Sequence, residues 1–256
     1  VFNADGTGSV EILPGKYEVT VTRGIEYTIA RMNVTVHTGT LAVVTAKIRK
    51  VIETPGLASA DFHQHSRMSP DSELSYEAKV IQNVAEGVEF VAASAHNYVA
   101  DYTSTIRSMR LEKWIASCAS VEATTHSSSI PEIGYPAFGH FNVYPVVANT
   151  NALHDGAPAD ENIAAEELFA SLRRMGPDGA VQVNHPRARG MGYFGTFGLK
   201  TNERSESGAS GAPSRIVIPS RSVVPAAASA RRDYEFTPGM KSAGPFSLNF
   251  DAIEVW

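Results

Sequence analysis

The sequence predicts an α/β protein, in which a short all-β segment is followed by alternating strands and helices of the size that builds a parallel sheet or a (β/α) barrel. Three observations carry this. Residues 9–52 alternate apolar and polar positions with turn residues between the runs. From about residue 59 the apolar period switches back and forth between strand-like and helix-like stretches. Histidines and one glutamate fall where those strand-like stretches begin or end.

In chain order, "SVEILPGKYEVTVTRG" gives two alternating runs around Pro14-Gly15, and "RMNVTVHTG" with "TLAVVTAKIRKVI" gives two more around Thr38-Gly39. Four short strands make a sheet but not a whole sandwich. Residues 1–54 are therefore expected to be a partial β-sandwich domain, with the boundary near "ETPGLAS" and a second domain over 55–256. That second part opens with a strand in "SADFHQH", an amphipathic helix in "SELSYEAKVIQNVAEG" closed by Gly87, and a buried strand in "VEFVAASA". A helix over 102–113, a strand leading to Glu122, a strand in "GHFNVYPVV", a helix over 160–174 and a strand in "GAVQVNH" follow. Residues 203–232 turn to Ser, Ala, Pro, Gly and Arg and read as a long loop or insertion. The chain opens on "VFNADGTGSV" without Met and stops after "FSLNFDAIEVW" without a capping turn, which predicts a fragment at both ends. A β-sandwich ahead of the second domain suits an exported or periplasmic bacterial protein, although the chain carries no signal of its own.

The 256 residues, 43% of them hydrophobic, suffice for a sizeable core. A formal charge of -5 offers no basic footprint for nucleic acid, and the apolar runs are too short to span a bilayer. The expected partner is a small-molecule substrate, with no nucleic acid and no membrane span; the oligomeric state is open. Cys118 is the single cysteine, so no internal disulfide forms and any metal must rely on imidazole and carboxylate.

Alternate residues of an extended strand share a face, so Asp61, His63 and His65 in "DFHQH" point one way and two imidazoles can grip one ion. As a bare pattern, H-x-H suits a structural pair as well as a metal site. Its context decides. His96 ends "VEFVAASAH", His140 opens "HFNVYPV", His185 ends "GAVQVNH", and Glu122 closes the strand before "ATTHSSS". In parallel α/β architectures the C-terminal strand ends converge on the face where sites are built. Singly, each residue reads more readily as structural. Together they form a His-rich, carboxylate-containing set suited to Zn, Mn or Fe. His37 and His154 lie in turn sequences and His126 in a polar loop, so all three read as surface residues. No G-x-S-x-G elbow, phosphate-binding loop or dinucleotide fingerprint is present.

The ordered motifs "ADFHQHSRMSPDS", "AEGVEFVAASAHN", "VEATT", "GHFNVYP", "NHPRARGMGYF" and "FDAIEVW" resemble those of the PHP (polymerase and histidinol phosphatase) superfamily, over about residues 55–256. In particular they resemble the CehA/McbA metallohydrolases, named for carbaryl hydrolases. The resemblance implies a distorted seven-stranded (β/α) PHP barrel, here incomplete at the C-terminus, preceded by part of a small β-sandwich. It implies two or three divalent metal ions (Zn, Mn or Fe) at the C-terminal face. By motif, His63, His65 and Glu122 would hold the first ion, Glu122 would bridge to a second held by His140 and His185, and Asp71 and His96 would serve a third. Read without that resemblance, Asp71 in "SPDSELS" is a helix-cap carboxylate.

Two departures from the family pattern stand out. "SAHN" places Ala95 where the family has an acid that orients a ligand. A late Asp-x-His would lie beyond Trp256, which predicts that Glu122, His140 and His185 form the complete site and that one ion binds better than the others. The implied activity is hydrolysis of a phosphoester, or of a carbamate or aryl ester, by a metal-bridged hydroxide. Arg187 reads as an oxyanion or phosphate contact, set against an ordinary surface ion pair. Asn97 and Tyr193 are further candidate substrate contacts, and Arg189 a second cation. The alternative is a non-catalytic, metal-stabilised binding module or degenerate PHP domain, which Ala95 and the missing late ligands favour and the seven candidate ligands oppose.

Overall fold

The structure is a computed structural model that describes residues 1–127, 137–188, 191–199 and 247–254. In the N-terminal segment, period-two alternation becomes a ladder only over β1 (Gly15–Val21) and β2 (Ala30–Val36), which pair antiparallel from Gly15 opposite Val36 to Val21 opposite Ala30. Tyr17, Val19 and Val21 share the sheltered face, while Lys16, Glu18 and Thr20 face water.

The four strands expected here are two among the described residues. The stretches before β1 and after β2 add no ladder, only a bridge between Tyr27 and Lys50 supported by an ion pair from Lys50 to Glu26 at 3.1 Å. Residues 41–49 keep the alternating exposure, yet Leu41 and Val43 are 83% and 76% exposed. Alternation records which face turns from water; a ladder also needs a neighbouring backbone, and residues 26–28 meet the chain only at residues 49–52, with Thr28 N donating to Arg49 O at 2.9 Å and Val51 N to Glu26 O at 2.8 Å.

The second part holds seven described strands in two sheets. β3 (Ala60–Asp61), β4 (Phe90–Ala93) and β5 (Ala116–Ala119) form a parallel three-stranded sheet. Helix α1 (Tyr76–Ala85) connects the first two strands of it and α2 (Thr103–Ser108) the next two. α1 starts where the Ser75 hydroxyl accepts from the Ala78 N–H at 3.2 Å, and the chain leaves it through Gly87 at φ +73°. The second sheet runs β6 (Val121–Thr124), β7 (His140–Tyr144), β8 (Ala180–Val183) and β9 (Ala252–Ile253). Helix α3 (Ala165–Met175) lies between β7 and β8, and the short α4 (Tyr193–Thr196) follows β8.

Here the sequence expectation of parallel strands is corrected. β6 with β7 and β7 with β8 pair antiparallel, and only β8 with β9 is parallel. A helix between two strands does not by itself fix their direction, and α3 returns the chain beside β7 running the other way.

The helices are also shorter than their periodicity predicts. α2 ends before Arg110, whose φ of +59° leaves the helical region. α3 begins only at Ala165, because the Asp160 carbonyl accepts from His126 N at 2.6 Å and its carboxylate from the Asn97 amide at 2.6 Å. The predicted loop over 203–232 lies outside the described residues.

Two apolar clusters hold the sheets. One gathers Val80, Val84, Val91, Tyr102, Ile106 and Ile115 around α1, α2 and β4. The other is aromatic, with Phe138, Phe141, Phe169 and Tyr193 beside Leu168, Leu172, Val181 and Val183. Each buried side chain of this size contributes roughly 1.5–3 kcal/mol. Tyr193 is therefore a core residue and not the substrate contact expected of it: fully buried, it stacks edge-on to Phe141 at 5.1 Å and donates its hydroxyl to Ser247 O at 3.0 Å.

The sheets meet at Glu122, whose N–H donates to Ala95 O at 3.0 Å while Asn97 N donates to Glu122 O at 2.9 Å. No described helix is long and apolar enough to cross a membrane.

Candidate metal centre

His63 and His65 do not sit on a strand. β3 stops at Asp61, and the Asp61 carboxylate accepts from His63 N at 2.9 Å, which turns the chain out of the ladder. Asp61 is used in that turn and joins none of the ligand groups. The two imidazoles still meet, their Nε2 atoms 3.1 Å apart. Asp71 comes from the loop before α1, and His96 from the segment after β4.

Glu122 lies within β6, two residues before the strand end it was expected to close. His140 opens β7, opposite Thr124 of β6. Because β7 is reversed, its first residue stands where β6 and β8 finish, so a strand-opening histidine joins residues that close strands. His185 follows β8 with φ +25°, a conformation that favours glycine.

These residues converge on one carboxylate. The Glu122 side chain is 0% exposed, and imidazole nitrogens approach both of its oxygens. Oε1 lies 3.2 Å from His63 Nε2, 3.2 Å from His140 Nδ1 and 3.7 Å from His185 Nε2. Oε2 lies 3.4 Å from His65 Nε2 and 2.9 Å from His96 Nδ1. Asp71 closes the outer side, 3.6 Å from His65 Nδ1 and 3.5 Å from His96 Nε2.

Burial opposes ionisation of Glu122, but the contacts of His140, His185, His63 and His96 outweigh it and hold the carboxyl far below the usual range. Burial lowers His63, yet Glu122 and Glu254 overcome it and push that imidazole up to about 9. For His65 burial prevails over Glu122 and the shift is downward.

The donor set fits a cation. Glu122 Oε2, His140 Nδ1 and His185 Nδ1 are buried without a hydrogen-bond partner, a costly state for polar atoms in a low-dielectric interior. Facing lone pairs on carboxylate and imidazole are relieved by a positive ion between them. Three groups have ligand atoms within 4.8 Å of one another: His63, His65 and Glu122; His65, Asp71 and His96; and His96, Glu122 and His140. The first matches the expected set. In the third, His140 is grouped with His96 in place of His185, which stands farther out, its backbone drawn to Glu254 by the His185 N to Oε2 bond at 2.7 Å.

Behind these residues lies a layer the sequence reading missed. Ser69 Oγ meets His65 Nδ1 at 2.8 Å, and Thr124 Oγ1 meets His96 Nδ1 at 2.5 Å. Buried Asn184 donates to Glu122 Oε1 and to Asn142 Oδ1, both at 2.9 Å. Gln182 Nε2 donates to Asn184 Oδ1 at 2.9 Å, and the Tyr144 hydroxyl to Gln182 Oε1 at 2.8 Å. Asn142 Nδ2 reaches Phe62 O at 2.7 Å, just before His63. Glu254, just after β9, contacts His63 Nδ1 at 3.0 Å. Its signal in sequence was an acid set in an apolar strand, as in "SVEAT".

The expected substrate contacts are otherwise engaged. Asn97 lies beside the cluster, but its carboxamide accepts from Thr124 N at 2.7 Å and donates to Thr124 O and Asp160 Oδ2. The Arg187 guanidinium donates to Leu199 O at 3.0 Å and lies over the Phe194 ring. Arg189 lies outside the described residues. Ala95 is buried in the apolar cluster, and Thr124 supplies the polar contact at His96 that an acid there was expected to give.

No protein-family model matches the chain, and no curated protein matches it. Among solved structures it is similar to a two-domain protein of Bacteroides vulgatus described as containing a predicted PHP-like metal-dependent phosphoesterase. The identity is 20% and the TM-score 0.38, over 56% of this chain and 41% of that protein's length. The chemistry of the centre therefore rests on its own residues.

Proposed function

We propose that the chain is a metal-dependent hydrolase of the PHP type, acting on a phosphoester, with its metal-binding domain beginning near residue 55 after a β-rich segment. The observation that carries this reading is a fully buried glutamate with five imidazoles within 3.7 Å, in which two candidate ligand atoms, Glu122 Oε2 and His140 Nδ1, are buried without a hydrogen-bond partner. Such a set is expensive to bury without a cation and inexpensive with one.

The motif resemblance supports two or three ions drawn from Zn, Mn or Fe, held by His63, His65, Asp71, His96, Glu122, His140 and His185, and a seven-stranded barrel as the framework. Divalent ions bound there would supply a Lewis acid for a substrate oxygen and lower the pKa of water. The chain's own part is positional. Glu122 and Asp71 balance cationic charge, and Ser69 and Thr124 fix the rings of His65 and His96. The approach is from the Asp71 side, where that side chain is 52% exposed against 13–20% for the site imidazoles.

The test is metal analysis of the purified chain, with hydrolysis of an aryl phosphate and an aryl carbamate in Mn and Zn, beside Glu122→Ala. Metal in the parent chain, phosphate turnover, and loss of both in the variant are the expected results. Turnover of the carbamate alone would move the substrate class. Bound metal without turnover of either would favour a metal-stabilised binding module, and no bound metal would sink the reading.

A further inference from the structure

We propose that Glu254 is a positioning residue of this centre: it dictates which nitrogen His63 offers to an ion and holds the His185 backbone beside it. The inference rests on the cluster being a metal centre. Glu254 is fixed before its side chain acts, since its N–H donates to Val183 O at 2.9 Å, at the end of β8. From there Oε1 lies 3.0 Å from His63 Nδ1 and Oε2 accepts from His185 N at 2.7 Å. Both oxygens are engaged with groups behind the cluster, so Glu254 is not itself a ligand.

A neutral imidazole has one donor and one acceptor nitrogen, and the partner of one decides the role of the other. A carboxylate only accepts, so Glu254 keeps a proton on Nδ1 of His63. Nε2 faces into the cluster, 3.2 Å from Glu122 Oε1 and 3.1 Å from His65 Nε2, and is the nitrogen that gives up its proton when an ion enters between it and Glu122. Carboxylates placed in this way behind a ligating histidine raise its basicity and orient its ring. The second oxygen acts on the backbone. His185 adopts φ +25°, which disfavours a side chain, and the bond from its N–H offsets that cost. One side chain thus sets two of the histidines, one from the segment after β3 and one from the segment after β8.

Glu254→Gln is the informative replacement, because an amide accepts through one atom only and cannot serve both donors. Zinc affinity, measured by chelator competition on the full chain, should fall about 10–100-fold. In a His63→Ala background the same replacement should cost clearly less than in wild type, only the part that passes through the His185 backbone remaining. Histidine ¹H–¹⁵N spectra of the zinc-loaded chain give a readout that a merely structural role would not move. Wild type should show His63 with its proton on Nδ1 and zinc on Nε2, and Glu254→Gln a loss of that single form. Zinc on Nδ1 of His63 in wild type, unchanged affinity in Glu254→Gln, or an undiminished loss in the His63→Ala background would overturn the proposal. A wild-type chain that binds no zinc would instead overturn the metal reading.

Discussion

The two sheets supply the candidate ligands in different ways. The β3–β5 half delivers His63, His65, Asp71 and His96 from segments that leave its strands, and two of them are steadied by single hydroxyls, His65 by Ser69 of the same half and His96 by Thr124 of β6. The β6–β9 half places Glu122 and His140 on the strands themselves and braces Glu122 with a chain of buried amides, Asn184, Asn142 and Gln182. A strand residue is fixed by the ladder on both sides, whereas a loop residue is fixed by whatever its side chain finds. The first half can adapt to an ion, and the second presents a fixed charge for it to meet.

Glu122→Ala, already the control for hydrolysis, should have the largest effect, because that carboxylate serves both halves. Next comes Asn184→Leu in the braced half. It leaves Glu122 Oε1, Asn142 Oδ1 and Gln182 Nε2 each short of a partner in a buried setting. At about 1–3 kcal/mol per unsatisfied group, it should lower thermal stability and metal affinity together. Calorimetry with and without zinc checks this; an unchanged melting temperature would show that the amides merely fill space.

A pH series should have an intermediate effect. His63 titrates higher in the folded metal-free chain than its ordinary 6.5, at about 9. Its protonated form therefore stabilises the metal-free fold fully below 6.5, and that contribution is lost as pH rises towards 9. An ion must displace the same proton, so zinc affinity should rise over this window while the melting temperature of the metal-free chain declines. Affinity that is flat between those values would remove His63 from the ligand set.

Asp71→Asn in the adaptable half should be mildest. With its side chain 52% exposed, the replacement should shift stability by no more than about 0.5 kcal/mol and weaken the ion shared with His65 and His96 without emptying the others. Metal counting after dialysis distinguishes this from a general loss.

The same contrast explains what was legible in the sequence. His63, His65, His96, Glu122, His140 and His185 could be gathered because histidine is sparse and strand boundaries show in periodicity. The reversal of β7 could not be seen, since β7 and β8 are separated by α3, which reads like any crossover helix. It also gives His140 its place, which a parallel sheet would not. The amide braces were hidden because Asn and Gln within apolar strands carry no spacing signature. Glu254 was hidden because its contact with His63 joins residues 191 positions apart. Strand pairing in the N-terminal segment was over-read for a related reason: alternation is a local property, while a ladder depends on a neighbour that the local pattern does not name.

Glu122 also stitches the two sheets together with its backbone, between Ala95 O and Asn97 N, while its side chain faces the imidazoles. Seam and centre share one residue. An ion held by that carboxylate is coupled to the angle between the sheets, so filling the centre works as a rivet through the joint: free energy of metal binding enters directly as resistance to the halves coming apart.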